Sequence, residues 1–483
     1  MRPIIQEVQN AHSPESLVEQ LAGEPGIVLL RSAYFDSPQA RYSFLAARPF
    51  LSFRSSGTRC EVESSSGHTV QFGNPWHLLD ALMSRYELLE EIDLPFPTGG
   101  CFGYWGYDLK NFVEPKLPRR AVNDLELPDC AVGFYDSLVV IDHRLQKTWI
   151  VSTGLQPDGS RSEAKAQERL NFWTSKMEQT PGECGSCERK RAGDAQGVRS
   201  SVSKENFIAA VAKAQRYIFA GDIYQVNLSH RLSAALQASG WDFFKRLAEV
   251  SPAPFSAFLD CEDFQVASSS PESFLRMSGS QIQTRPIKGT RPRSADPNRD
   301  AQLTYELQTS AKEMAELVMI TDLLRNDLGR VCEFGSVQVP ELVRLERFPQ
   351  VQHLVSTVEG RLRDDVTHFA AFASCFPGGS ITGAPKIRAM EIIDEIEPIT
   401  RGPYTGAIGY IGFNRESQLN IAIRTAVCKE GAVHFYAGAG IVADSEPTAE
   451  YEETIAKARG FLTALEREEI VSNNPYPRAI VSE

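Results

Sequence analysis

No stretch of the 483-residue chain stays apolar over the roughly 18 residues that a membrane span needs. The longest run of that kind, residues 131–141, is strand-sized and carries Asp136. The opening MRPIIQEVQN lacks the apolar core of a secretory signal. Basic residues are in deficit, with 50 Lys plus Arg against 62 Asp plus Glu and a formal net charge of -12. That excludes a general nucleic-acid binder, which needs a basic face. It does not exclude a small anionic substrate, which a few local cations can hold. Histidine is scarce, eight in all and none at ligand spacing, so a zinc hydrolase is poorly supported. No sequence-local nucleophile triad is present either. The nine cysteines are scattered and odd in number, which fits reduced thiols in the cytoplasm. Cys184 and Cys187 form a lone CxxC with no second pair nearby, read as a linker feature rather than a metal or redox site.

What is present is a globular composition, 42% hydrophobic and 23% charged, on a chain too long for one ordinary core. Residues 1–155 alternate short apolar runs with turns. Within them 76–89 reads as a helix, and 131–142 with 148–152 as a hairpin pair. Residues 156–202 read as a linker or mobile segment around a helix at 163–176, because 180–200 has almost no large apolar residue with which to offset its ordering entropy. Residues 203–470 have the tighter pattern of a catalytic domain. Ser203 caps a helix whose face is Phe207, Val211, Ala214 and Ile218. A long helical stretch covers 303–324 and breaks at Asn326 and Asp327. Strands follow at 404–413, 419–427 and 432–437, then a closing helix at 447–466. Residues 471–483 read as a frayed tail. Strands and helices mix without a β-α repeat, so the fold class expected is α+β.

Several constellations could carry chemistry. Glu313 and Glu316 are three apart in a helical pattern, as are Glu450 and Glu453, so each pair shares a helical face. Either these are two solvated faces, or the carboxylates meet around a divalent cation such as Mg2+, which prefers hard oxygens. Lys457, four residues after Glu453, is a surface ion-pair partner or a substrate cation. Residues 376–388, FPGGSITGAPKIR, resemble a phosphate loop but fail its spacing, because Lys386 does not directly follow Gly383. Residues 437–441, AGAGI, follow a strand and form either a tight turn or a cradle of N–H groups for a carboxylate. Lys288, in PIKGTRPR, is a basic-turn residue or, if partly buried, a nucleophile. Glu272, in SSSPESF, is a solvated loop residue or, if buried, a general acid. His353 stands alone in a strand-like run, as a core histidine or a site residue.

Taken together, these motifs resemble the chorismate-utilising enzyme family. Its signatures here are GDIYQVNLS (221–229), SPESF (270–274), PIKGTRPR (286–293), DLLRNDLGR (322–330), His353 to Ser356, Gly378 to Met390, IRT (423–425), Ala437 to Val442 and Glu450 to Lys457. The N-terminal part is similar through RYSF (41–44), PFPTGGCFGYWGYD (95–108) and GFYDSLVVID (133–142), which favours the amidotransferase-linked members. The anthranilate branch looks like PIAGT where this chain reads PIKGT. Lys288, Asn227 and FPGGSITGAPK therefore resemble the aminodeoxychorismate branch.

The resemblance implies an α+β fold with a large mixed-sheet core, flanking helices and an N-terminal region interlocked with the catalytic core. It implies Glu316 and Glu453 as direct Mg2+ ligands, with Glu313 and Glu450 as outer carboxylates. Arg424, Gly438, Ala439, Gly440 and Lys457 would contact substrate carboxylates. Tyr410 and Tyr436 would line the ring, and Ser380 sits where the anthranilate branch carries Thr. Lys288, Glu272 and His353 are the implied catalytic residues. Lys288 would attack chorismate C2 as Glu272 protonates the departing C4 hydroxyl, and ammonia would then displace the lysine. The chain has no glutaminase segment, so the implied partner is a separate glutamine amidotransferase. Residues 29–32 read LLRS. Arg31 thus replaces the acidic residue of the anthranilate branch's tryptophan feedback site, and strong tryptophan inhibition is not expected. A structural tryptophan stays open, because RYSF is intact.

Overall fold

The computed structural model of the chain describes residues 2–9, 12–33, 40–89, 94–179, 197–347 and 351–470, with 466–470 described by backbone alone. The tail at 471–483, the Cys184–Cys187 pair and most of the 180–200 segment lie outside the described residues. The fold is α+β. Two 12-stranded sheets form its centre, and every pairing between extended strands is antiparallel. The parallel contact Val122–Ile399 is an isolated bridge. One sheet runs from Ile4–Val8 to Arg199–Ser200 and contains Gln225–Ala235 and Ala432–Ile441. The other runs from Ile287–Pro292 to Gly67–Phe72 and contains Val351–Arg361 and Glu416–Ile421.

Both sheets draw strands from both halves of the chain. Val28–Arg31 pairs with Phe255–Asp260 in the first, and Gly100–Trp105 pairs with Ala407–Gly412 in the second. Between the sheets lies a core that includes Phe44, Phe102, Tyr104, Val266, Ile408 and Tyr410. Helices cover outer faces. Gly240–Val250 and Pro447–Ile470 bury Phe243, Leu247, Ala458 and Phe461 against the first sheet. Pro75–Met83 and His368–Cys375 bury Trp76, Leu79, Phe369 and Phe372 against the second. No helix among the described residues is long and apolar enough to cross a membrane.

Tertiary pairing overrides the local pattern in several places. Residues 131–142, expected as one strand, form two. Cys130–Tyr135 belongs to one sheet and Ser137–Asp142 to the other, with buried Asp136, paired to Arg169, at the crossing. The 419–427 run divides the same way into Glu416–Ile421 and Thr425–Lys429. The expected helix at 303–324 is also two, Pro297–Gln308 and Ala311–Gly329. Ser310 caps the second by accepting the Glu313 N–H, and that helix continues through Asn326 and Asp327. The Glu163–Glu178 helix, expected inside a linker, packs with Leu170 and Trp173 buried beside Leu45, Val139 and Ile150. The AGAGI segment is neither after a strand nor a turn, since 437–441 completes Ala432–Ile441.

One buried ion pair fastens the loop before the last strands. Arg401 donates to both Glu397 oxygens at 2.8 and 2.6 Å, to the Ile381 carbonyl at 3.1 Å and to the Asn227 carbonyl at 2.8 Å. Removing one member of such a pair strands the other charge in the interior, at a cost of about 3–5 kcal/mol. Glu397→Ala is expected to lose stability of that order in equilibrium urea unfolding, whereas a loss within 0.5 kcal/mol, roughly that of an ordinary surface substitution, would contradict this role.

Candidate active site

The site forms where the chain passes between sheets twice in close proximity. Gln265–Ser270 belongs to the first sheet and Ser273–Ser278 to the second, with Glu272 at the crossing. Glu416–Ile421 and Thr425–Lys429 make the second passage, with Arg424 at φ 48°. The two passages are stitched together. The Ile421 N–H donates to the Glu272 carbonyl at 3.0 Å and the Ser269 N–H to the Arg424 carbonyl at 2.9 Å. The Ser270 hydroxyl donates to the Ile421 carbonyl at 2.6 Å. A left-handed arginine is a locally costly conformation that surrounding bonds must hold, and such positions cluster at functional sites.

Glu272 is buried. Burial pushes its carboxyl up to about 7, against a Ser380 hydrogen bond, the Lys288 charge and the Ile287 N–H, which all favour the carboxylate. Ser380 reaches it from the short turn Gly379–Ile381. Lys288 lies in Ile287–Pro292, which pairs with Val351–Arg361. A bulge at Gly289, φ 68°, lies between the Lys288–Leu354 and Thr290–His353 pairs. Such a bulge inserts one residue and re-aims its neighbours' side chains. Lys288 Nζ is 3.6 Å from Glu316 Oε2, and both side chains are 16% exposed, so they remain within reach of a small solute. His353 Nδ1 is 2.8 Å from the Thr290 hydroxyl. Burial, reinforced by the Arg424 charge, takes its imidazole down to about 4, so the ring is neutral near pH 7.

A second group of residues lies along the edge of Ala432–Ile441. Thr425–Lys429 pairs with that strand only as far as Ala426–Phe435. Beyond it, residues 437–441 pair only with Gln225–Ala235 among the described strands, which leaves one edge uncovered. Lys457 Nζ donates to the Gly438 carbonyl there at 3.0 Å and pairs with Glu453 at 2.7 Å. Gly438, Ala439 and Gly440 are thus strand residues beside an open edge.

The residue family that this arrangement fits is clear from comparison. The family described as chorismate binding enzyme matches residues 31–463. The chain belongs to the chorismate-binding enzymes. It is 39% identical to aminodeoxychorismate synthase component 1 of Escherichia coli (strain K12), over 94% of this chain and 96% of that one. It is 37% identical to anthranilate synthase component 1 of Acetivibrio thermocellus, over 96% and 95%. The crystal structure of anthranilate synthase component I from Streptococcus pneumoniae TIGR4 superposes with a TM-score of 0.77 at 31% identity, covering 89% of this chain and 94% of that one.

Within this chorismate-binding enzyme two expected ring-lining residues, Tyr410 and Tyr436, are held in packing contacts. Tyr410 is in the inter-sheet core, its ring 5.3 Å from Phe102 and 5.0 Å from Phe44, and it borders a small cavity with Leu30, Arg31 and Tyr42. Tyr436 shares a strand face with Gly438. Its ring stacks on Tyr404 at 5.1 Å and its hydroxyl donates to the Thr400 carbonyl at 2.5 Å, so it is committed to packing. Lys386 is likewise taken up, by buried Asp327 at 2.6 Å. Cavity size does not mark the site, since a cleft of about 860 Å3 beside Arg54, Tyr135 and Arg169 is lined by none of the expected residues.

The four glutamates occupy matching places on two helices. Glu313 and Glu316 lie in the first turns of Ala311–Gly329, and Glu450 and Glu453 in those of Pro447–Ile470. Here they appear as separate pairs with cation partners. Glu316 faces Lys288, Glu313 faces Arg291 at 3.3 Å, and Glu453 faces Lys457. No three His, Cys, Asp or Glu among the described residues converge closely enough to hold a metal ion. The donor chemistry nevertheless fits a hard divalent cation. Glu450 is only 6% exposed, and burial together with the Glu453 charge raises its pKa, a penalty that a cation removes.

Thr290 and Tyr404 were not legible as site residues. Thr290 could have been found from its place two residues after Lys288, whereas Tyr404 begins the stretch expected as a strand at 404–413 and lies instead in the turn before Ala407–Gly412. The Lys288 charge favours the ionised form of Glu272, so removing it must shift that carboxyl further up. Lys288→Met is expected to move the Glu272 titration above pH 7 in difference infrared spectra. An unchanged or lower midpoint would show that the two groups do not interact.

Proposed function

We propose that this enzyme aminates chorismate at C4, giving 4-amino-4-deoxychorismate with the enolpyruvyl group retained. The observation that carries the reading is Glu272, a buried acid that holds its proton until about pH 7, bonded by the Ile287 N–H next to Lys288 and within reach of that residue's charge. The unprotonated Lys288 nitrogen bonds to C2. The conjugated double bonds shift, the C4–O bond breaks, and the hydroxyl leaves as water with the Glu272 proton. Ammonia then bonds to C4, the double bonds return, and the C2–N bond to Lys288 breaks. Neutral His353, fixed by Thr290, and Arg424 orient the carboxylate-bearing side chain, while Lys457 and the open edge at Gly438 to Gly440 receive a carboxylate. Glu316 and Glu453, with Glu313 and Glu450 behind them, would hold Mg2+, which when bound supplies Lewis-acid polarisation of the ring carboxylate.

Relatives named as component 1 support a second subunit. In this reading it is a glutamine amidotransferase that delivers ammonia, and the pair works in the cytoplasm, towards para-aminobenzoate and folate. The competing reading is anthranilate formation, supported by relatives of equal similarity. Lys288, where that branch carries alanine, favours the C4 product.

Purified chain incubated with chorismate, Mg2+ and ammonium is expected to give a product whose mass retains the enolpyruvyl group, and chelation of the metal is expected to abolish it. Release of pyruvate with fluorescent anthranilate would establish the competing reading. The pH dependence has a definite sign. Glu272 acts as the protonated acid, so the rate at fixed free ammonia falls as pH rises through about 7. Glu272→Gln is expected to lose about 10²–10⁴-fold in kcat, the usual contribution of a positioned acid. A flat profile across that range would remove Glu272 from the role.

A further inference from the structure

The segment FPGGSITGAP (376–385), which fails the spacing of a phosphate loop, links the helices His368–Cys375 and Lys386–Ile396. Its paired glycines serve close approach instead. A Cβ at Gly378 would come within 2.5 Å of Ile421 Cδ1, at the seam between sheets. One at Gly379 would come within 2.5 Å of Leu323 Cδ2, on the helix Ala311–Gly329 that carries Glu313 and Glu316. The turn Gly379–Ile381 therefore lies against both, and Ser380 at its centre reaches Glu272.

The two halves of the loop are held differently. After Ser380, backbone groups hold it. The Ile381 carbonyl accepts from Arg401 at 3.1 Å, the Thr382 carbonyl accepts from the Asn227 N–H at 2.8 Å, and Gly383–Ala384 pairs with Gln225 and Val226. Before Ser380, a side chain from the far end of the loop takes over. Lys386 Nζ donates to the Cys375 carbonyl at 3.1 Å and to Asp327 Oδ2 at 2.6 Å. Cys375 precedes the loop and Lys386 follows it, so one ammonium closes the neck and ties it to Ala311–Gly329. The Asp327 and Lys386 side chains are 4% and 11% exposed, and burial pushes the Asp327 carboxyl up against the Lys386 charge. A buried ion pair adds little net stability over apolar side chains in its place, so the worth of this one lies in the geometry it fixes.

We propose that Lys386 is a positioning residue for the acid: by closing the neck of the 376–385 loop on Asp327, it holds Ser380 where its hydroxyl bonds Glu272. The bearing of this clasp on catalysis rests on the amination reading above. Ser380 donates to the carboxylate and so favours its ionised form. The other groups that act on Glu272 lie outside the loop, the Ile287 N–H and the Lys288 charge, both from Ile287–Pro292. Arg424, from the second passage, turns its charge on His353. Loosening the neck thus removes the Ser380 bond, and the carboxyl moves up.

The test is a pH titration of the full chain by difference infrared spectroscopy, with the Glu272 band assigned by its loss in Glu272→Gln. Lys386→Met alone leaves Asp327 buried without its partner, so the double variant Lys386→Met/Asp327→Leu, which exchanges both charges for apolar side chains, is measured beside it. Each is expected to raise the Glu272 midpoint by about one pH unit, the effect of one hydrogen bond to a charged group. Ser380→Ala is expected to do the same by itself, and in its background the Lys386 changes are expected to add nothing further. A wild-type midpoint in either folded variant, or a shift that adds to that of Ser380→Ala, overturns the clasp. The titration is read without turnover. If the midpoint moves and no aminated product forms, the amination reading falls and the clasp stands. If product forms and the midpoint stays, the clasp alone falls.

Discussion

The site depends on two strands changing sheets at one seam. A chain that leaves one sheet for another must give up ladder hydrogen bonds at the crossing, and buried backbone groups left unpaired are costly. Here the two crossings solve the problem for each other. Glu272 and Arg424 carry the exchanged carbonyls, and Ser269, Ser270 and Ile421 supply the remaining links. The Ser268 and Thr425 hydroxyls, 2.9 Å apart, continue the stitch into the first sheet. Two ionisable side chains are thereby fixed at a split between sheets, the kind of place where a solute can enter without breaking a ladder.

Fixation at the seam has an electrostatic consequence. Glu272 sits deep enough that desolvation outweighs three favourable partners, and the proton stays on near neutral pH. His353 is moved the other way by the same burial and stays uncharged. Burial therefore yields a protonated acid at Glu272 and a neutral imidazole at His353, while Lys288, Arg424 and Lys457 supply positive charge. One carboxylate of each helix pair balances one of these cations, Glu316 facing Lys288 and Glu453 facing Lys457.

The candidate site could be named in sequence because its residues sit in local motifs that resemble a family, although the chemistry of each residue taken alone left a bland reading open. Lys288 in PIKGT, Glu272 in SPESF and the two glutamate pairs are of this kind, and in the structure Lys288 faces Glu316 while its neighbour Ile287 bonds Glu272. What escaped was set by pairing between distant segments. Residues 131–142 and 419–427 look like continuous strands, because strand propensity is blind to which sheet a residue joins. The break at Thr309–Ser310 was hidden by apolar residues that keep helical spacing through both helices, although Ser310 has the chemistry of a cap. The resemblance assigned Tyr410 and Tyr436 to the ring, yet ring packing against Phe102, Phe44 and Tyr404 decides where they point.

The central claim is that the Lys288 nitrogen bonds to the substrate. The most direct measurement is mass analysis of the intact chain and its peptides after incubation with chorismate and Mg2+ with ammonia withheld, followed by rapid acid quench. The account predicts an adduct equal to chorismate less one water, carried by the peptide that contains Lys288 and absent from Lys288→Ala. Turnover to aminated product on ammonia addition by a Lys288→Ala chain, or an adduct on any other residue, would contradict it.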